Sequence, residues 1–126
     1  MRFEITPAGQ ITKYIKENGD PVDLIIPAVI DGISVRSIGD AVFCDSTSLQ
    51  SVEIPEGVTS IGEGAFCNCS ALKSVLIPKS LILMGQMAFY DCQALVSVVI
   101  PKGVKSILTD AFAYCLALEF VIIEDG

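Results

Sequence analysis

A chain of 126 residues with 52% apolar side chains and a mean hydropathy of +0.62 is sized for one domain and carries more apolar surface than a soluble domain of that size usually buries. A formal charge of -7 and a pI near 4.3 argue against binding to a phosphate backbone, which needs clustered Lys and Arg. The absence of histidine removes Ser-His-Asp, Cys-His and His-metal chemistry, and no apolar run approaches the roughly 18 residues that span a bilayer.

Residues 1–21 read as an N-terminal cap. Phe3 and Ile5 alternate with polar neighbours, Pro7-Ala8-Gly9 supplies turn chemistry, and Ile11, Lys13 and Ile15 resume the alternation, the pattern of a β-hairpin. Asn18-Gly19-Asp20-Pro21 then breaks the chain. The start carries no basic and then apolar layout of a signal peptide, so the chain as written reads as cytoplasmic.

From residue 22 a single phrase recurs. Phe43, Phe66, Phe89 and Phe112 fall 23 residues apart, in step with Pro55, Pro78 and Pro101, with Ala65, Ala88 and Ala111, and with Leu49, Leu72, Leu95 and Leu118. A fixed period in the range of roughly 20–50 residues marks a solenoid, so stacked coils are expected: a first coil at 22–49, regular coils at 50–72, 73–95 and 96–118, and a terminal strand at 119–126. The first coil holds five extra residues between Pro27 and Val35, with Asp31-Gly32 as a turn signal, which predicts a lengthened corner. In each regular coil L-x-x-V-x-I ends at Pro, the mark of a short strand, and successive strands are expected to pair in parallel. Val52, Ile54, Val75, Ile77, Val98 and Ile100 then point inward, with Val58, Ile61, Leu81, Met84, Val104 and Ile107 as inward contacts on the return side. Gly62 and Gly85 are expected to supply a backbone twist that a side chain would oppose.

Five cysteines cannot all be bridged within one chain. Cys69, Cys92 and Cys115 share one column, and stacked strands about 4.8 Å apart would permit bridging there. Ser46 in the same column favours packed structural thiols, and Cys44 and Cys67, in the column just after the phenylalanine, read as the exposed thiols. Cys67-x-Cys69 has no second pair at zinc spacing, so no metal is expected.

These residues resemble the leucine-rich repeats of the BspA-like type, over about residues 24–123. I-P-E-G-V-T-S-I-G-E-G-A-F at 54–66 is similar to that family's core phrase. The resemblance implies a short right-handed leucine-rich-repeat coil, mainly β, with a parallel sheet on one face behind the hairpin cap. It also implies adhesion to proteins or cells, no catalytic residues and no cofactor, and members that are often secreted or on the cell surface.

Between the inward residues of each strand stand Ile25, Glu53, Leu76, Val99 and Ile122, which period-two geometry turns outward. An aliphatic column flanked by small hydroxyls suits a protein partner, and the expected contact residues are Ser74, Leu76, Ser97, Val99, Phe120 and Ile122. Ile82 and Leu83, with Tyr114 and Leu116 in the last turn, are candidates for self-association. The leading expectation is a non-enzymatic interaction module with no direct contact to nucleic acid or membrane. Two alternatives are a small acidic inhibitor, such as a phage anti-defence protein filling the basic groove of a nucleic-acid-binding enzyme, and a structural homodimer.

Overall fold

The computed structural model describes residues 2–15 and 22–124. The expected chain break at Asn18-Gly19-Asp20-Pro21 lies outside the described residues. Strands β1 (Arg2–Ile5) and β2 (Gln10–Ile15) form the expected antiparallel hairpin, with a register shift between Glu4 and Ile5. Gly9 closes it at φ 91°, and its carbonyl accepts the N–H groups of Arg36 and Ser37. Phe3 and Ile11 are buried, and the rings of Phe3 and Tyr14 lie 6.4 and 5.3 Å from that of Phe43. The hairpin thus covers the first coil with aromatic carbon, as a terminal unit of a stack must.

The first coil contains β3 (Asp23–Ile25), a small antiparallel excursion of β4 (Val29–Ile30) and β5 (Ile33–Ser34), and β6 (Ser37–Ile38). Asp31 and Gly32 both take positive φ, 50° and 77°, as a two-residue hairpin turn requires, so the insertion is absorbed in a local corner. The regular coils follow with β7 (Ser51–Glu53) and β8 (Ser60–Ile61), then β9 (Ser74–Leu76) and β10 (Leu83–Met84), then β11 (Ser97–Ile100) and β12 (Ser106–Ile107); β13 (Phe120–Ile123) ends the series.

The parallel pairing differs from expectation in two ways. The return side, expected to give packing contacts only, carries the longest sheet, in the order β1-β2-β6-β8-β10-β12 and parallel from β2 onward, so the cap hairpin is hydrogen-bonded into it. On the side of the V-x-I-P strands the ladder is in two parts, β3-β7-β9 and β11-β13. Gln50, Lys73 and Glu119 each donate a backbone N–H to the preceding coil, at 2.6 to 2.8 Å, whereas among the described residues Val96 makes no such bond to Lys73. A seam therefore runs between β9 and β11.

A third ladder joins the coils at their turns. Residues in two columns, Ala41, Gly64, Met87 and Asp110, and Asp45, Asn68, Asp91 and Tyr114, all have φ between 57° and 65°. Left-handed backbone costs a non-glycine residue on the order of 1 kcal/mol. Here it turns alternate N–H groups along the stack, where Phe43, Phe66 and Phe89 donate to Ala65, Ala88 and Ala111 of the next coil at 2.8 Å, and those bonds offset the cost.

The core is the phenylalanine column. Phe43, Phe66 and Phe89 are at most 1% exposed, and successive rings from Phe43 to Phe112 stack at 5.0, 5.2 and 5.6 Å within 8° of parallel. Leu49, Leu72 and Leu95 fill the corner, with Val52, Ile54, Ile77, Val98, Ile100, Val58, Ile61, Leu81 and Met84 buried around it. Val75, beside the seam, and Val104, in the last coil, are half-buried. Ile107, expected inward, is 41% exposed because no described coil lies over it.

Gly62 and Gly85 also correct the expectation of a twist, since neither has positive φ. A Cβ on Gly62 would stand 2.7 Å from the Gly39 carbonyl carbon and 2.8 Å from the Asp40 nitrogen, and one on Gly85 would stand 2.7 Å from both Gly62 C and Ile61 O. These glycines let adjacent coils touch backbone to backbone. Gly62→Ala should therefore lose about 1–3 kcal/mol in a urea titration through overpacking. Gly103→Ala, whose Cβ would meet nothing closer than 3.5 Å, should be near neutral; equal losses in the two would remove close packing as the reason for Gly62.

Candidate functional site

The outward positions of the V-x-I-P strands form the candidate site. Strand alternation buries Leu24, Val52 and Val98 and turns Ile25, Leu76, Val99 and Ile122 out, where they are 67%, 60%, 45% and 54% exposed. The ladder register sets Ile25 beside Glu53 and Glu53 beside Leu76, while Val99 lies beside Ile122 and Ser97 beside Phe120. The six expected contact residues are all exposed, but the seam divides them: Ser74 and Leu76 belong to the ladder with β3 and β7, and Ser97, Val99, Phe120 and Ile122 to the ladder of β11 and β13.

A shallow groove of about 420 Å³ crosses the first ladder over Ile25, Glu53 and Leu76, with Ser51 Oγ donating to Asp23 Oδ1 at 2.6 Å along its wall. Asp23, Ser51 and Ile25 thus extend the face toward the cap. Ile25 was visible in the sequence as a member of the outward column, whereas the Ser51–Asp23 pair was not, because its partners are 28 residues apart, one insertion longer than the repeat.

The residues considered for self-association occupy two places. Leu83 lies in β10 on the return sheet, between Ser60 and Ser106, and Ile82 precedes it, with both exposed. Tyr114 and Leu116 are exposed in the turn after Phe112, where Tyr114 meets Tyr90 edge-on at 5.3 Å.

The cysteines require a correction. Cys44 and Cys67, expected as exposed thiols, form a disulfide that ties the first coil to the second, with Cα atoms 4.6 Å apart. That separation suits a bridge, and both side chains are half-buried. In the inner column Cys69, Cys92 and Cys115 remain thiols, each donating at 3.2 Å to the carbonyl of Phe43, Phe66 or Phe89 in the preceding coil. Hydrogen bonding with the Cys69 thiol, and then burial, push the pKa of Cys92 far up; burial raises that of Cys115. Thiols held protonated in this way are poor nucleophiles.

Among the described residues no three His, Cys, Asp or Glu side chains converge as metal ligands, and no helix is long and apolar enough to cross a membrane. In the acidic turn column Asn68 Nδ2 donates to Asp45 Oδ1 at 2.9 Å, and Gln93 Nε2 donates to Asp91 Oδ1 at 2.8 Å. The amides thereby occupy carboxylate oxygens.

Comparison with known proteins agrees with this architecture. The family model for the BspA type leucine rich repeat region matches residues 25–126. A leucine-rich repeat protein from Bacteroides capillosus is 30% identical with a TM-score of 0.84, the match covering 97% of this chain and 92% of that one. The leucine-rich repeat protein of T. pallidum is 29% identical with a TM-score of 0.70, covering 95% of this chain and 67% of that one. A leucine-rich cell surface protein from Faecalibacterium prausnitzii is 30% identical with a TM-score of 0.70, covering 97% of this chain but 40% of that one. No curated protein matches.

Proposed function

The chain belongs to the BspA-type leucine-rich repeat family, and on that premise we propose that it is a non-enzymatic interaction module that binds a protein partner through the outward face of its V-x-I-P strands. The observation that carries this reading is the exposed aliphatic row of Leu76, Val99 and Ile122. A strand with one solvated face ordinarily alternates to polar residues there, and single exposed aliphatics are common whereas a row of them is not. Ser74 and Ser97 keep the flanks low and able to hydrogen-bond, while Phe120 supplies an aromatic edge of the kind enriched at interface centres. The similar F. prausnitzii protein, described as a cell surface protein, supports an adhesive role for a face of this kind.

Replacing Leu76 and Val99 together by Glu places two charges at the centre of the face without touching the core. Proteins retained by the immobilised wild-type chain should be lost by the double variant, with affinity for each falling at least about thirtyfold, as expected for a hot spot worth about 2 kcal/mol. Thermal unfolding should be nearly unchanged. Retention of the same proteins by the variant would reject the face.

A further inference from the structure

Along the seam between β9 and β11 the side-chain ties of the preceding corner do not recur. One coil earlier, two reciprocal bonds hold the corner after the proline. Lys79 N–H donates to Glu56 Oε1 and Gly57 N–H donates to Ser80 Oγ, both at 3.0 Å, while the Ser80 hydroxyl donates to the Val58 carbonyl at 2.7 Å. At the seam the same columns hold Lys79 where Glu56 stood and Gly103 where Ser80 stood, and neither side chain can accept the bond. Among the described residues no acceptor meets the N–H of Lys102 or of Ser80. The strands beside this corner part as well. Ile26 and Ile54 donate to the carbonyls of Glu53 and Leu76 at 3.0 and 3.1 Å, whereas among the described residues Ile77 makes no such bond to Val99, and Val75 is half-buried where Val52 and Val98 are buried. A groove of about 350 Å³ opens at the corner, lined by Lys79, Pro101, Lys102, Gly103 and Glu124. Both lysines are exposed, and among the described residues neither makes an ion pair, with Glu124 or with any other carboxylate. Beyond the seam β11 is itself paired with β13, so the corner lies between coils.

We propose that this corner is a binding site for a carboxylate, which takes the place that the Glu56 side chain takes one coil earlier. One oxygen accepts the Lys102 N–H, as Glu56 Oε1 accepts that of Lys79, the other accepts the Ser80 N–H, and the Lys79 and Lys102 ammonium groups supply the counter-charge. The repeat itself thus carries a bound example of the occupant. Hydrogen bonds to an ionised acceptor are roughly twice as strong as neutral ones. Two like charges in one column of adjacent coils, about 4.8 Å apart along the stack, repel each other, and an anion between them reverses that term. In a chain of net charge -7, such a pair of lysines without a carboxylate beside it is a local reversal of sign. An apolar group placed here would cover two N–H donors and offer neither an acceptor. An acidic side chain of a protein and a free carboxylic acid share the required chemistry. The site lies past the exit of the strands and uses neither Leu76 nor Val99, so it stands or falls apart from the strand face.

The test is amide NMR of the whole chain titrated with N-acetyl-glutamate N-methylamide, which presents the acidic side chain, and with glutarate, which presents the free acid. N-acetyl-glutamine N-methylamide and inorganic phosphate are the controls. Saturable shifts of the Lys102 and Ser80 amides with either carboxylate support the proposal, and the tighter of the two identifies the source. The double substitution Lys79→Gln and Lys102→Gln should weaken that binding at least about tenfold, whereas Lys13→Gln, on the cap, should leave it unchanged. Lys79→Glu supplies the carboxylate from within the chain and restores the pair seen one coil earlier. It should slow exchange of the Lys102 amide at least about tenfold with no ligand added, and abolish the shifts in both titrations. Amides of Lys102 and Ser80 that neither carboxylate moves, or that the glutamine analogue or phosphate moves equally well, would overturn the proposal. Unchanged exchange of Lys102 in Lys79→Glu would overturn it too, because the corner would then not place a carboxylate on that N–H.

Discussion

Phe66→Ala should lower the unfolding free energy by about 3–5 kcal/mol, the range for removing a buried aromatic ring from a core. Phe66 is fully buried, lies 5.0 Å from the Phe43 ring and 5.2 Å from the Phe89 ring, and is packed beside a buried Ala65 whose single methyl cannot fill the space. In a stack each coil touches only its neighbours, so this one substitution weakens two interfaces at once. Since a domain of this kind has on the order of 5–15 kcal/mol in total, the guanidinium midpoint should fall by a large fraction. Phe112→Ala is the internal control. Its ring is half-buried and, among the described residues, stacks on the Phe89 ring alone, at 5.6 Å, so its loss should be clearly smaller. Equal losses at the two positions would show that the rings contribute by bulk alone, without dependence on their place in the column.

The second large effect should come from the bridge between the first two coils. Removing it by the double substitution Cys44→Ser and Cys67→Ser should cost about 3 kcal/mol, the loop-closure value for a loop of roughly this length, since the bridged residues are 23 apart. The bridge fastens the coil that bears the cap to the first regular coil, so its loss should expose the cap hairpin to amide exchange before the later coils. Cys92→Ser is the contrasting case. That thiol is buried and donates to the Phe66 carbonyl, a bond a hydroxyl can also make, and Ser46 already occupies the same column in the first coil, where it too is buried. It should cost less than about 1 kcal/mol. Intact mass after alkylation of the unfolded, unreduced chain should count three reactive thiols, and five after reduction.

Much of this architecture is written in residue types. The phenylalanine, proline and leucine columns announce the coil, Asp31-Gly32 announces the turn inside the insertion, and the alternation about Pro7-Ala8-Gly9 announces the cap. The outward column of Ile25, Leu76, Val99 and Ile122 follows from period two alone. Other features depend on what lies one coil away. The return strands of the coils, β6, β8, β10 and β12, are two residues long, too short to show alternation, and Gly39, Gly62 and Gly85 beside the first three let the coils close. Ala41 and Met87 adopt left-handed backbone despite weak local preference, because the bonds between coils override it. The rim bridge had its spacing in plain view. Cys44 and Cys67 share a column, but Tyr90 and Ala113 do not continue it, so the pair reads as exposed thiols, where the distance between coils allows a bond. The seam between β9 and β11 has no counterpart in residue type, since Ser74-Val75-Leu76 and Ser97-Val98-Val99 follow the same pattern as the paired strands. As a result the extent of the candidate face was legible and its division was not.

The claim that an aliphatic column stands in solvent on the strand face is open to one direct measurement: methyl NMR of the chain, labelled at Leu and Val, with a soluble paramagnetic agent. The methyl signals of Leu76 and Val99 should broaden strongly, while those of Leu72, Leu95 and Val98, in the same strands and the corners before them, and of Val52 in the neighbouring β7, stay sharp. If Leu76 and Val99 were as protected as Leu72 and Val98, the column would belong to the interior, and no docking face would exist there.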